Sequence, residues 1–238
     1  MIVVQAGPLA EPAARLLAAA AARGHELYAR PEAVAPPASA ASAPLTLAIS
    51  DGPFVFDLAG AVRRLGESMP LGERGLRLLV LSRLGAHPDA REPALQRLWR
   101  LEEHARACGL PTLTLRFAPL VGPASPLWRK LRSRPALPRG GRKVLNPVAE
   151  SDAVETIVRA LDCRAAWGSW YEVAGPEAVT LAELRDLAVH TAGGTRGGAW
   201  EPPLEEIREH RLAEPQPWAA EFGIAPVPLA SWAGATVA

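Results

Sequence analysis

Four side chains next to apolar segments have the chemical types needed for proton transfer and anion stabilisation. Asp57 lies within one apolar run, and Ser82, Arg83 and His87 stand at the end of another. A histidine and a carboxylate can exchange protons with a substrate, and an arginine can hold an anionic oxygen. Asp57, Ser82, Arg83 and His87 are therefore candidate catalytic residues. The turn residues of His87-Pro88-Asp89 are equally typical of a surface loop.

The elements that must position these residues alternate between strands and helices. Helices are expected at about Glu11–Arg23 and at Arg97–Cys108. Apolar runs predict strands at Ile2–Gln5, Glu26–Ala29, Leu45–Ser50, Phe54–Leu58, Leu76–Ser82 and Thr112–Phe117. A continuous Leu/Val run such as 76–82 is typical of a strand buried on both faces of a parallel sheet. The sequence thus predicts an α/β fold, a doubly wound parallel sheet (Rossmann-like), with a small C-terminal α/β lobe.

Length and composition limit the organisation and the class of protein. The chain has 238 residues and a formal net charge of +1. We expect a Rossmann-like core at 1–123, to which parts of 144–195 return, and a smaller variable lobe at 124–143 and 195–238. The nearly balanced charge does not indicate nucleic-acid binding. No apolar run is long enough for a membrane span, and no signal peptide is indicated, so the expected compartment is the cytoplasm. Scattered histidines and cysteines predict no metal site.

The first turn and several later motifs resemble the extended and atypical short-chain dehydrogenase/reductases. The run Arg23-Gly24-His25-Glu26 matches the end of the family's first helix, and counting back places the family's three glycines at positions 7, 10 and 13. Further likeness lies in Leu81–Ala86, in Arg116–Pro123 and in Trp170–Leu184, where Thr180 and Glu183 form a capping box. The resemblance implies a cleft that binds NAD(P).

The cofactor positions that this resemblance implies are degenerate. They are Gly7, Ala10, Arg30, Gly60, Phe117 and Leu120. Of the three glycine positions in the phosphate turn, only Gly7 holds a glycine, and Ala10 and Ala13 occupy the other two. Pro12 lacks an N–H, and Glu11 adds a negative charge where a pyrophosphate would bind. We expect NAD(P) binding to be absent or weak. The alternatives are a nucleotide in a shifted pose, or a tightly held structural NAD(P) whose 2′-phosphate meets Arg30.

Reductases of this family use a tyrosine and a lysine four residues later, and this chain has no tyrosine–lysine pair at that spacing. The alignment puts Ala94 at the tyrosine position, Leu98 at the lysine position and Arg83 at the serine position, with Ser82 beside it. The usual carbonyl reduction then lacks a proton donor. Trp99 and Trp128 are each expected either to line an apolar pocket at the vacated nicotinamide site or to pack in the core.

A basic segment opens the variable lobe. It holds Arg129, Lys130, Arg132, Arg134, Arg139, Arg142 and Lys143. These residues are expected either to form a solvated face or to bind an acidic partner or an anionic small molecule.

Three functions remain open on the sequence. The first is a scaffold or accessory subunit of dehydrogenase-like fold that has lost hydride transfer. The second is a non-redox biosynthetic enzyme, of cyclase or isomerase type, that uses the old cofactor cleft as a pocket for a small anionic or apolar ligand. The third is an NAD(P)-binding oxidoreductase or epimerase with non-standard motifs. Fold alone does not choose between them.

Overall fold

A computed structural model describes the fold of residues 2–5, 13–28, 45–50, 75–123, 125–162, 165–190, 207 and 209–233. Its strands are β1 (Ile2–Gln5), β2 (Glu26–Tyr28), β3 (Leu45–Ser50), β4 (Leu76–Arg83), β5 (Thr112–Phe117), β6 (Leu120–Val121), β7 (Val144–Leu145), β8 (Val148–Ala149), β9 (Trp170–Val173) and β10 (Val179–Thr180). Its helices are α1 (Ala13–Ala21), α2 (Pro93–Ala107), α3 (Pro126–Arg132), α4 (Glu150–Leu161), α5 (Leu181–His190), α6 (Gln216–Phe222) and α7 (Ala230–Ala233).

The main sheet has six strands in the order β2-β1-β3-β4-β5-β9. β1 pairs in parallel with both β2 and β3, and β3 pairs in parallel with β4, with Leu47 opposite Leu78. The chain moves outward from β1 to β2 and then returns to the other side of β1, which is the reversal of a doubly wound sheet. This confirms the predicted α/β, Rossmann-like parallel fold.

The apolar runs form strands because the sheet buries both faces of these segments. Residues of β3 and β4 are almost all buried, with Leu47, Leu78 and Val80 at 0% exposure.

The helix predicted at residues 97–108 is α2, and it begins earlier than predicted, at Pro93. Proline suits the first helical turn because it has no N–H to leave unpaired there. The predicted strand Phe54–Leu58 lies outside the described residues.

Contacts divide the chain into two compact units. The first, called the sheet unit here, comprises Met1–Ser82, Ala86–Arg116 and Val154–Tyr171. The second, the C-terminal unit, comprises Arg83–Gly85, Phe117–Ala153 and Glu172–Ala238. The core and lobe boundaries expected from the sequence stay a prediction.

The C-terminal unit is built on two small sheets. β10 pairs antiparallel with β7, and β6 pairs in parallel with β8. Around them packs an apolar cluster that includes Trp128, Leu131, Leu145 and Leu184. Trp128 is 4% exposed, so of its two expected roles the core role is the one the structure supports. No helix within the described ranges is long and apolar enough to cross a membrane.

Candidate functional site

The carboxyl end of β4 carries a buried polar cluster in the sheet unit. Ser82 stands there, Glu102 comes from α2, and Arg116 comes from β5. The Ser82 hydroxyl donates to Glu102 Oε1 at 2.5 Å. Arg116 donates from Nη2 to Glu102 Oε2 at 2.5 Å and from Nε to both carboxylate oxygens at 3.1 Å. The Glu102 side chain is 0% exposed and that of Arg116 is 15% exposed.

Hydrogen bonds connect the three side chains of this cluster. Both oxygens of Glu102 accept bonds, and the fork of the guanidinium neutralises the carboxylate at close range. The ring of Trp170 lies 4.8 Å from the Arg116 guanidinium carbon and covers it. Because the hydroxyl proton of Ser82 points to Glu102, Ser82 has no proton left to polarise a substrate carbonyl in this arrangement.

The two residues that the sequence resemblance places at the family's tyrosine and lysine positions lie on α2 and have apolar side chains. Ala94 is half-buried, and Leu98 is 1% exposed. Leu98 packs with Ala86, Ala90 and Leu95, and Trp99 covers this cluster. The described residues at these positions therefore offer neither the phenol nor the ammonium group that would hold a nicotinamide ribose and move a proton, so they do not fit the chemistry of a bound nicotinamide.

His87 lies on an exposed loop. Its Nδ1 accepts a bond from the Asp89 N–H at 3.2 Å and lies 3.8 Å from the Asp89 carboxylate. The two side chains are 63% and 90% exposed, so water screens their interaction. The structure thus does not bring His87 into the Ser82 cluster, and its catalytic role stays a prediction.

Arg83 and Phe117 line a small cavity in the C-terminal unit. The other lining residues are Leu84, Pro119, Ile207 and Arg211, and the cavity has a volume of about 10 Å³. That is roughly the space of a single water molecule. Hydrogen bonds join the walls, because Leu84 N–H donates to the Phe117 carbonyl at 2.8 Å and Arg211 donates to the Leu84 carbonyl.

The two described cofactor positions are parts of the packed core. Phe117 is 6% exposed and Leu120 is 3% exposed. Leu120 pairs with Val148, and its carbonyl accepts the Ser125 hydroxyl at 2.6 Å. The remaining predicted residues, Gly7, Ala10, Arg30, Asp57 and Gly60, lie outside the described residues, so their roles stay predictions.

Sequence reasoning missed two residues that organise these surroundings. In the sequence, Glu102 resembles an ordinary surface charge on a helix. The only feature that could have indicated its role is the arginine in β5, Arg116. Arg211 gave no signal, since its partner Leu84 is 127 positions away. Across the described ranges, no group of three His, Cys, Asp or Glu side chains is arranged to hold a metal ion.

Solved structures similar to this chain include sugar-nucleotide epimerases. The UDP-glucuronic acid 4-epimerase of Bacillus cereus, in complex with UDP-glucuronic acid and NAD, is 14% identical, with a TM-score of 0.54 over 74% of this chain. This chain spans just under two thirds of that protein, 65%. The Thermus thermophilus UDP-glucose 4-epimerase complex with NAD is 16% identical, with a TM-score of 0.60 over 98% of this chain and 99% of that one.

A third neighbour is RMD from Pseudomonas aeruginosa, complexed with NADPH. It is 14% identical, with a TM-score of 0.63 over 98% of both chains. No protein-family description and no curated protein sequence matches this chain. The likeness establishes a Rossmann-like fold for this chain. At such identity it does not carry activity with it.

Proposed function

We propose that this protein has the fold of the short-chain dehydrogenases but does not transfer hydride, a property called redox silence below. We propose that it serves as a scaffold or accessory subunit. The observation that carries the proposal is Leu98, which occupies the lysine position and is buried in an apolar cluster. A hydride-transferring member of this class needs a cation there to lower the tyrosine pKa and hold the ribose. Here neither group is present.

Two further observations support the proposal. Ser82 donates its proton to Glu102, which Arg116 holds in place. Phe117 and Arg83 border a cavity of about 10 Å³, which leaves little free volume beside them. Around Ser82 and Phe117, these features favour packed side chains over the open, convergent polar pocket of a working enzyme.

NAD(P) binding is a separate question from hydride transfer. The neighbours named above are complexes with NAD or NADPH, so NAD(P) is the nucleotide to test. We propose weak or absent binding, because the expected phosphate turn lacks two glycines and carries Glu11 and Pro12. A structural NAD(P) without turnover is compatible with redox silence.

Calorimetric titration with NAD⁺, NADH, NADP⁺ and NADPH tests the nucleotide part, and oxidation of NADPH with a panel of carbonyl compounds and UDP-sugars tests the chemistry. We expect dissociation constants above about 100 µM, weaker than about −5.5 kcal/mol, and no NADPH oxidation above the protein-free rate. Tight binding without turnover would mean that the protein holds NAD(P) as a structural ligand, and the proposal of weak or absent binding would be wrong. Turnover above background would refute redox silence.

A further inference from the structure

Four cationic side chains lie on α3 and on the turn that follows it, in the C-terminal unit. They are Arg129, Lys130, Arg132 and Arg134, here called the basic face. Arg129 and Arg134 are exposed, and the other two are partly buried. In the sequence, no Asp or Glu occurs between Glu103 and Glu150, so this stretch supplies only positive charge. The whole basic face lies in residues 125–162, which the structure describes without a gap.

The opposite side of α3 anchors the helix in the C-terminal unit. Leu127, Trp128 and Leu131 are buried there in one apolar cluster. At the first turn, the Ser125 hydroxyl accepts the Trp128 N–H at 3.2 Å and donates to the Leu120 carbonyl at 2.6 Å. A partner therefore meets cations on a helix whose position is already fixed, which lowers the entropic cost of binding.

The cations of the basic face have no negative partner in the part of the chain that the structure describes. Their side chains form neither a hydrogen bond nor an ion pair there, whereas Arg159 and Arg185 each form an ion pair. The helix α5 packs against α3, and its two acidic residues have other partners. Glu183 is bonded to Thr180, and Asp186 is paired with Arg185. The positive charge of the basic face is therefore available to another molecule.

Arg134 has a backbone conformation that usually selects glycine. Its φ is 51°, and among the described non-glycine residues only Arg139, in the same basic segment, also has a positive φ. The Arg134 N–H donates to the Leu131 carbonyl at 3.0 Å as α3 ends. Glycine is common at such helix ends because it has no Cβ to oppose a positive φ. The backbone gives an arginine no advantage here, which points to a use of its charge in binding.

The chemistry of this surface favours an acidic protein over other polyanions. Surfaces that bind single-stranded nucleic acid combine cations with exposed aromatic rings, and nucleic-acid-binding domains are strongly basic overall. Trp128, the aromatic residue of α3, is only 4% exposed, and the formal net charge of the chain is +1. Helices that bind membranes insert exposed apolar side chains, and those of α3 are buried. A short acidic protein segment matches the four cations without either feature.

We propose that the basic face of α3 binds an acidic segment of a partner protein. Carboxylates of the partner pair with Arg129 and Arg132, which are neighbours on the helix surface because they lie three positions apart, and with Arg134. The proposal names the kind of partner of the scaffold or accessory subunit proposed above, and it rests on that function. Its tests measure binding, whereas NADPH oxidation tests redox silence, so the two proposals can fail separately.

The probe is a fluorescein-labelled peptide of alternating Asp and Glu, and fluorescence anisotropy measures its binding to the full chain at about 50 mM KCl. The test variant is Arg129→Gln/Arg132→Gln. The matched control is Arg97→Gln/Arg100→Gln, which removes two exposed arginines three positions apart on α2. We expect the test variant to weaken binding by about fivefold or more and the control by less than about twofold. Equal weakening by both variants, or no binding to the parent protein, would overturn the proposal.

Arg134→Gly separates binding from folding. Glycine suits the backbone at this position, so the melting temperature should equal or exceed that of the parent while affinity for the peptide falls by about twofold or more. Unchanged affinity in this variant would contradict the proposal.

Three other ligands test the class of partner. A peptide of alternating Asn and Gln, of the same length, should bind at least about tenfold more weakly than the acidic peptide. A short DNA duplex and vesicles that contain phosphatidylserine should bind no more tightly than the acidic peptide. Equal binding of the neutral peptide would show that charge is not what the surface recognises. Tighter binding of DNA or vesicles, weakened by Arg129→Gln/Arg132→Gln, would assign the basic face to that other class and overturn the proposal.

Discussion

Glu102 is a carboxylate in the interior of the sheet unit that depends on a single cation. Its side chain is 0% exposed, and Arg116 provides three of the four hydrogen bonds described for its oxygens. A buried charge costs several kcal/mol to desolvate, and an ion pair offsets this only when its geometry is good. The pair is therefore sensitive to the loss of one partner and tolerant of the loss of both.

A double-mutant cycle measures this dependence. Arg116→Met should lower the free energy of unfolding by about 3–5 kcal/mol, because it leaves Glu102 buried and uncompensated. The double variant Glu102→Met/Arg116→Met should recover at least about half of that loss. Urea unfolding followed by circular dichroism measures both.

Arg106→Met is the control for this cycle. Arg106 pairs with Glu103 on the exposed face of α2, with side chains 56% and 41% exposed. Its loss should cost less than about 1 kcal/mol. If Arg116→Met proved as mild as Arg106→Met, the cluster around Glu102 would not be the polar anchor of the sheet unit.

At the scale of elements, patterns of neighbouring residues were good predictors and long-range pairings were not. The strands β1, β3 and β5 have the bounds that the sequence predicts, because the sequence of a buried parallel strand is an uninterrupted apolar run. The capping box is also confirmed: Thr180 N–H donates to Glu183 Oε2 at 2.7 Å, and Glu183 N–H donates to Thr180 Oγ1 at 3.1 Å. Both features depend on residues close in sequence.

The candidate site was less predictable because its contacts join distant positions. Ser82 meets Glu102 from 20 residues away, and no periodicity reports that pairing. His87 follows Ser82 by five residues, yet the chain turns there and leaves His87 in solvent. His210 reaches Val144 across 66 residues. Proximity in sequence thus predicted some members of the site and could not predict its geometry.

Two polar contacts join the end of α1 to α4 and the turn that follows it. Arg23 donates to Glu155 at 2.7 Å, and His25 Nε2 lies 3.4 Å from Asp162 Oδ1. The His25 side chain is only 6% exposed, and its Nδ1 has no described partner. Burial lowers the pKa of His25 below its ordinary value of 6.5, and this effect outweighs the nearby Asp162 carboxylate, which raises it.

This junction predicts a pH-dependent stability. The folded protein disfavours protonation of His25, while the unfolded chain takes up a proton near pH 6.5, so the unfolded state binds more protons just below that value. The stabilisation is present above pH 6.5 and is lost as the pH falls through the lower pKa of the folded state. Urea unfolding between pH 7.5 and pH 5 should show a slope of at most about 1.4 kcal/mol per pH unit from this group.

His25→Gln should flatten that slope, and His104→Gln, which removes an exposed histidine from α2, should leave it unchanged. A parent protein with equal stability at both ends of the pH range would show that the α1 junction does not carry the effect. So would a His25→Gln variant with the parent slope.

At the scale of the whole molecule, the fold resembles that of proteins with very different sequences. The structural neighbours named above share only 14–16% of residues with this chain, yet the sheet keeps a doubly wound strand order with parallel pairing of β1, β2, β3 and β4. The fold depends on apolar periodicity, which many sequences satisfy, whereas chemistry depends on a few named side chains. A sheet of this kind therefore does not require particular side chains at positions 94 and 98.

The last prediction concerns a variant that introduces the reductases' tyrosine and lysine at positions 94 and 98. Ala94 and Leu98 are four residues apart on α2, so tyrosine and lysine there would lie on one face of the helix, as in the reductases. Leu98→Lys, however, places an ammonium group among Ala86, Leu95 and Trp99. We expect the Ala94→Tyr/Leu98→Lys variant to lose about 3–5 kcal/mol of unfolding free energy and to gain no NADPH-dependent reduction.

Ala94→Tyr alone, at a half-buried position, is the control and should cost less than about 2 kcal/mol. Denaturant unfolding and NADPH absorbance measure the two outcomes separately. The proposed redox silence is a property of the whole surroundings: the Ser82 proton given to Glu102, the apolar packing of Leu98 and the degenerate phosphate turn. A double variant that folds stably and reduces a carbonyl compound would show instead that only two side chains separate this protein from a working reductase.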